Sequence, residues 1–104
     1  MTESLYDYKN VSFIKKNGTI SRKSIQFSAF VADLEKVQAN YTRENMIIEK
    51  LIKKMSVSSN IEIDFSDKNY TKVLFLNHGK VVDQMRIIWY DYNVINMLKL
   101  YSRV

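Results

Sequence analysis

The chain has 104 residues, enough for one ordinary domain and too few for two. Hydrophobic residues make up 46% and charged residues 26%, the balance of a folded globule rather than a disordered tail. There is no cysteine, which excludes a disulfide framework and any thiolate metal site.

The N-terminal stretch Met1-Thr-Glu-Ser-Leu-Tyr-Asp-Tyr8 has neither a basic start nor an apolar run, so it does not read as a signal peptide. Val11–Lys16 and Thr19–Gln26 are rich in β-branched and aromatic residues and flank Asn17-Gly18. Asn-Gly supplies positive φ at both central turn positions, so residues 9 to 26 read as a β-hairpin with a type I′ turn.

The period then changes. Phe27, Phe30, Val31, Leu34, Val37 and Tyr41 fall on one helical stripe, continued by Ile48, Leu51, Ile52 and Met55. The stripe misses a turn at Glu44 and Asn45, where apolar residues belong. A single helix from 28 to 56 would be roughly 40 Å long, so a break or kink near 40 to 43 is the favoured reading over one long helix.

Ile61-Glu-Ile-Asp-Phe65 alternates strictly, as a half-buried strand does. Tyr70–Asn77 follows a turn at 66–69, and Val81–Trp89 follows a tight turn at Asn77-His-Gly-Lys80. These three strands read as an antiparallel meander. Asp91 or Asn93 can cap a last helix with Val94, Ile95, Met97, Leu98 and Tyr101 on its apolar face and Lys99, Ser102 and Arg103 outside. Residues 1–104 thus form a single α+β domain. It comprises an N-terminal hairpin, one or two helices, a three-stranded antiparallel meander and a C-terminal helix, with the helices on one face of the sheet.

Nothing in this order suggests catalysis. His78 is the sole histidine, and it stands in a turn without a neighbouring nucleophile or orienting carboxylate in sequence. Glu62 and Asp64 share one face of a strand, as Mg²⁺ ligands can, but Ile61, Ile63 and Phe65 on the other face make them the wet side of an amphipathic strand. Two glycines, Gly18 and Gly79, cannot build a phosphate-cradling loop. The expectation is a non-enzymatic protein without cofactor or metal.

Binding has more support. The net charge is +5, which favours anionic partners, although Lys outnumbers Arg 12 to 4 and nucleic-acid readers often lean on Arg. Lys15, Lys16, Arg22 and Lys23 gather on the first hairpin, near Tyr6, Tyr8 and Phe13; basic residues among rings suit single-stranded nucleic acid, and they also guard an edge hairpin from aggregation. Lys50, Lys53 and Lys54 form the charged face of the second helical segment. Trp89 is expected to seal the joint between sheet and last helix, while Tyr90 and Tyr92 could face either the core or a partner.

Phe, Tyr, Met, Ile, Asn and Lys supply 49 residues and Gly, Ala, Arg and Pro only 9, the bias of a low-GC gene from a Gram-positive bacterium or its phages. The longest strongly apolar run, Val73–Leu76, is far short of a membrane span, so a cytoplasmic location, in the host cytoplasm if phage-encoded, is expected. Together these features point to a small interaction or inhibitor protein of the phage or mobile-element kind. Its partner would be a host protein, such as a nucleic-acid-processing enzyme, bound through Lys15, Lys16, Arg22, Lys23, Lys50, Lys53, Lys54, Tyr90 and Tyr92. The alternative is a module that binds DNA or RNA directly through the basic hairpin and helix face.

Overall fold

The structure, a computed structural model, describes residues 7–103; Tyr6 lies outside them. Five strands and three helices follow in the order β1 (Tyr8–Ile14), β2 (Ile20–Gln26), α1 (Phe27–Asn40), α2 (Asn45–Ser56), β3 (Asn60–Asp64), β4 (Tyr70–Asn77), β5 (Lys80–Ile88) and α3 (Tyr92–Arg103). The strands make one sheet in the order β2-β1-β3-β4-β5.

That sheet is mixed, which corrects the expected separation of a hairpin from an antiparallel meander. β1 pairs with β3 in parallel, Val11 beside Ile61 and Phe13 beside Ile63, while the other three pairings are antiparallel. A parallel pair needs a long crossover, and α1 and α2 supply it. An isolated two-stranded hairpin is marginal in water, so β1 gains by laying its apolar row against that of β3. Alternation alone identifies each strand; it does not say which distant strand it will join.

The buried row crosses four of the five strands, from β1 to β5. Phe13, Ile63, Val73 and Met85 are mutual neighbours in register, and Val11, Ile61 and Phe75 form the next row. Phe30 and Leu34 of α1, Ile48, Leu51 and Met55 of α2, and Val94 and Leu98 of α3 pack against them in one core. Each such side chain contributes roughly 1.5–3 kcal/mol when fully removed from water. The intervening strand residues face the other way and are half-buried or exposed.

The two turns exchange the expected chemistry. At the first hairpin Gly18 N–H donates to Lys15 O and Lys15 N–H to Thr19 O, both at 2.9 Å, and Gly18 alone takes positive φ, +88°. Asn17 keeps negative φ, so this is a three-residue loop closed by a glycine bulge and not a type I′ turn. The positive pair occurs instead at His78 (φ 54°) and Gly79 (φ 78°), between the paired residues Asn77 and Lys80.

The helical stretch does break where its stripe fails. α1 ends at Asn40, a single 3-10 turn covers Thr42–Glu44, and α2 starts at Asn45. Tyr41 leaves the core, being 48% exposed, because the chain turns there. Ser102, expected outside α3, is buried and donates its hydroxyl to Lys99 O at 2.6 Å.

Candidate functional site

β1 and β3 run parallel and finish at the same end of the sheet, where β4 begins and β5 finishes. Three connections therefore meet there: the loop after β1, the β3–β4 loop and the β5–α3 corner. Each is held by backbone hydrogen bonds. Phe65 N–H donates to Ile14 O at 2.8 Å, Trp89 N–H to Asn69 O at 3.0 Å and Asp91 N–H to Ile88 O at 2.9 Å. In the loop, Ser66 N–H donates to Asp64 Oδ1 and Asn69 N–H to Asp67 Oδ1, each at 2.8 Å, two local side-chain turns of which the second fixes the backbone at Lys68.

The bond from Asp91 to Ile88 makes Trp89 and Tyr90 the two central residues of a reverse turn. Such residues project outward. Trp89 is 61% exposed, which overturns its expected place at the sheet–helix joint; Ile87 and Ile95 fill that joint instead. Trp89 and Tyr90 meet edge to face with centroids 5.6 Å apart. Tyr92, at the start of α3, is 54% exposed.

A second layer stiffens the corner. Arg43 holds its guanidinium 3.9 Å from the centroid of Tyr90 and donates to Asp91 Oδ1 at 3.0 Å. Glu44, only 1% exposed, accepts the Val94 N–H at Oε1 (3.0 Å) and the Asn93 amide at Oε2 (2.7 Å). A carboxylate from the 3-10 turn thus caps α3.

Beside Trp89 lies a groove of about 130 Å³. Phe65, Thr71 and Ile95 lie deep in it; Tyr70, Trp89 and Tyr92 supply its rings; Lys16, Lys68 and Lys99 supply its cations. Asp67 also lines it, with one oxygen already engaged by Asn69. An adjoining groove of about 290 Å³ shares Lys16, Phe65 and Lys99 and adds Lys15 and Arg103. None of Lys15, Lys16, Lys68, Lys99 and Arg103 forms an ion pair with a carboxylate among the described residues.

Of the residues singled out by sequence, Lys15, Lys16 and Tyr92 come together here. Arg22 and Lys23 do not join them. They lie on opposite faces of β2, opposite Ser12 and Val11, and border a separate groove of about 250 Å³ on the β1–β2 ribbon. Lys50 and Lys53 are exposed on α2. Lys54 donates to the Asp83 carboxylate, and that hydrogen bond, helped by the Gln84 N–H, holds the carboxyl below its ordinary range. Tyr90 is stacked on Arg43 and borders another groove, shared with Tyr92. The aggregate surface of hairpin, helix and tyrosines expected from sequence therefore divides into separate patches.

Lys68, Lys99, Arg103 and an exposed Trp89 are the members that sequence reasoning left out. Lys99 and Arg103 stand four residues apart, the spacing that puts two side chains on one helix face, and that signal was available. Among the described residues no group of three or more His, Asp or Glu side chains is arranged to hold a metal ion. No helix there is long and apolar enough to cross a membrane. No protein-family model matches the chain, and no curated protein or solved structure is significantly similar to it.

Proposed function

We propose that the chain is a non-enzymatic binding protein that engages an anionic macromolecular partner through the Trp89 end of the sheet. One observation carries this reading. Cations that form no ion pair with a described carboxylate line grooves together with the exposed rings of Trp89 and Tyr92. Leaving such rings in water costs free energy, and unpaired cations at close quarters repel one another; both are relieved by a partner that covers the rings and brings negative charge.

The test compares two triple variants with the same change in net charge. Lys16→Glu/Lys99→Glu/Arg103→Glu reverses charge at the grooves, and Lys50→Glu/Lys53→Glu/Lys80→Glu reverses it elsewhere. Retention on immobilised heparin, a generic polyanion, should collapse to low salt for the first and fall only slightly for the second. Equal losses would mean that total charge, not this site, drives binding.

A second reading is favoured by Arg43, Trp89 and Tyr90, residue types that dominate the energetics of protein–protein contacts. It assigns the chain to the accessory or inhibitor proteins of phages and mobile elements, with a host protein seated on the β5–α3 corner. Its test is recovery of one stoichiometric partner from a low-GC host lysate, lost with Trp89→Ala and Tyr90→Ala and insensitive to nuclease.

A further inference from the structure

Resting on the first reading, we propose that the paired grooves bind single-stranded nucleic acid, with a base against Trp89 and Tyr92 and the flanking phosphates along Lys15, Lys16, Lys99 and Arg103. The two grooves differ in chemistry and share a wall. The one beside Trp89 is lined by the exposed rings of Trp89 and Tyr92 and by the buried apolar side chains of Phe65 and Ile95. The other is bordered by four cations with a single ring, Phe65. Lys16 and Lys99 stand in both. A single strand presents the matching pair of surfaces, flat unpaired bases and charged phosphates joined by a short sugar link. A duplex keeps its base faces stacked on each other and has nothing to offer Trp89. An acidic peptide would satisfy the cations and leave the indole and phenol faces without a flat partner.

The corner is also prepared for stacking. The reverse turn Ile88–Asp91 projects Trp89, its ring meets that of Tyr90 edge to face, and Arg43 and Glu44 hold the residues that follow it, so little backbone freedom remains to be lost on binding. Lys16 and Lys68 come from loops with fixed backbones, and Lys99 and Arg103 from successive turns of α3.

Trp89 is the sole tryptophan, so its fluorescence reports directly on the site. The probe is oligo(dT) or oligo(U) of about 12 nucleotides, within the span a small binding domain covers. Saturable quenching is expected with the single strand and at least tenfold weaker binding with a duplex of the same length. Neutralising about four phosphates should weaken single-strand affinity roughly 50-fold between 50 and 200 mM salt. By anisotropy of a labelled strand, Trp89→Ala should lose roughly tenfold or more in affinity and Lys16→Glu/Lys99→Glu at least as much, with the far-ultraviolet spectrum of each variant unchanged. Trp89→Phe, which keeps a ring, should recover part of the loss.

Heparin retention with no quenching by either strand would overturn this inference and leave the anionic-partner reading standing. So would displacement of the strand by polyglutamate at equal charge concentration. Absence of both heparin retention and strand binding would remove the two together.

Discussion

Glu44 caps a helix that begins far along the chain: its Oε1 accepts the N–H of Val94, 50 residues away, from a position where the side chain is 1% exposed. The break between α1 and α2 is thus the device that anchors α3 and, through it, the Trp89 corner. Replacing Glu44 by Ala leaves the Val94 N–H buried without an acceptor and frees the Asn93 amide. A loss of about 2 kcal/mol in stability is expected, and about half that for Glu44→Gln, which keeps one acceptor oxygen. Urea unfolding midpoints at unchanged slope measure it. A loss below about 0.5 kcal/mol for Glu44→Ala would show that the cap is dispensable.

The β4–β5 turn gives a purely conformational prediction. Gly79 has φ +78°, and a Cβ there would meet nothing within 4 Å, so Gly79→Ala tests backbone strain without a clash. It should cost about 1 kcal/mol, as should Gly18→Ala at φ +88°. His78, at φ 54°, is the one non-glycine residue with positive φ among the described residues. Asn tolerates that region better than His does, so His78→Asn should raise stability by a few tenths of a kcal/mol. Thermal melts of the three variants rank the two turns.

How far the sequence discloses this fold depends on the range of the interaction. The strands, the kink and the α3 face rest on periods of a few residues, and each is visible in Ile61–Phe65, in the stripe through Phe30 and Leu34, and in Val94 with Leu98. The parallel pairing of Val11 with Ile61 depends on which apolar row finds which, and no local pattern encodes it. Glu44 shows the same limit. A polar residue on an apolar stripe reveals a break, yet its partner lies on another helix. Trp89 misleads because composition favours burying an indole, whereas the Asp91-to-Ile88 bond places it at a turn. The candidate site is half legible: Lys16 and Tyr92 stand out in sequence, but only the sheet topology brings them beside Lys68 and Lys99.

Arg43 binds a carboxylate that is far less exposed than itself. Its side chain is 50% exposed and that of Asp91 only 9%. Removing the arginine strands a largely desolvated charge, while solvent screening at the guanidinium keeps the penalty near the low end, about 1 kcal/mol for Arg43→Met. Asp91→Asn in the same background removes the stranded charge and should restore part of it. Additive losses in that double-mutant cycle would mean the pair does not couple. Arg43→Lys keeps the charge but not the planar stack on Tyr90, and should fall between wild type and Arg43→Met.

Tyr101 makes a contact whose contribution depends on alkaline pH. Its ring meets Phe30 edge to face, centroids 4.9 Å apart, and its hydroxyl donates to the Asp33 carboxylate. Burial first, and then the carboxylate acceptor, push the phenol from 10.0 up to about 12. A raised pKa means that the folded state holds the proton more tightly than the unfolded chain does. The associated stability is complete below pH 10 and disappears as pH rises towards about 12. Tyr101→Phe keeps the ring against Phe30 and removes the proton. At neutral pH it should lose about 1 kcal/mol, the net value of one hydrogen bond. Between pH 10 and about 12 the wild type's advantage over the variant should fall steadily, since only the wild type must give up the phenol proton. Ultraviolet titration should show one phenolate step fewer in the variant, the missing step being that near pH 12. Parallel stability curves for the two proteins up to that pH would mean that the Asp33–Tyr101 contact does not favour the protonated phenol.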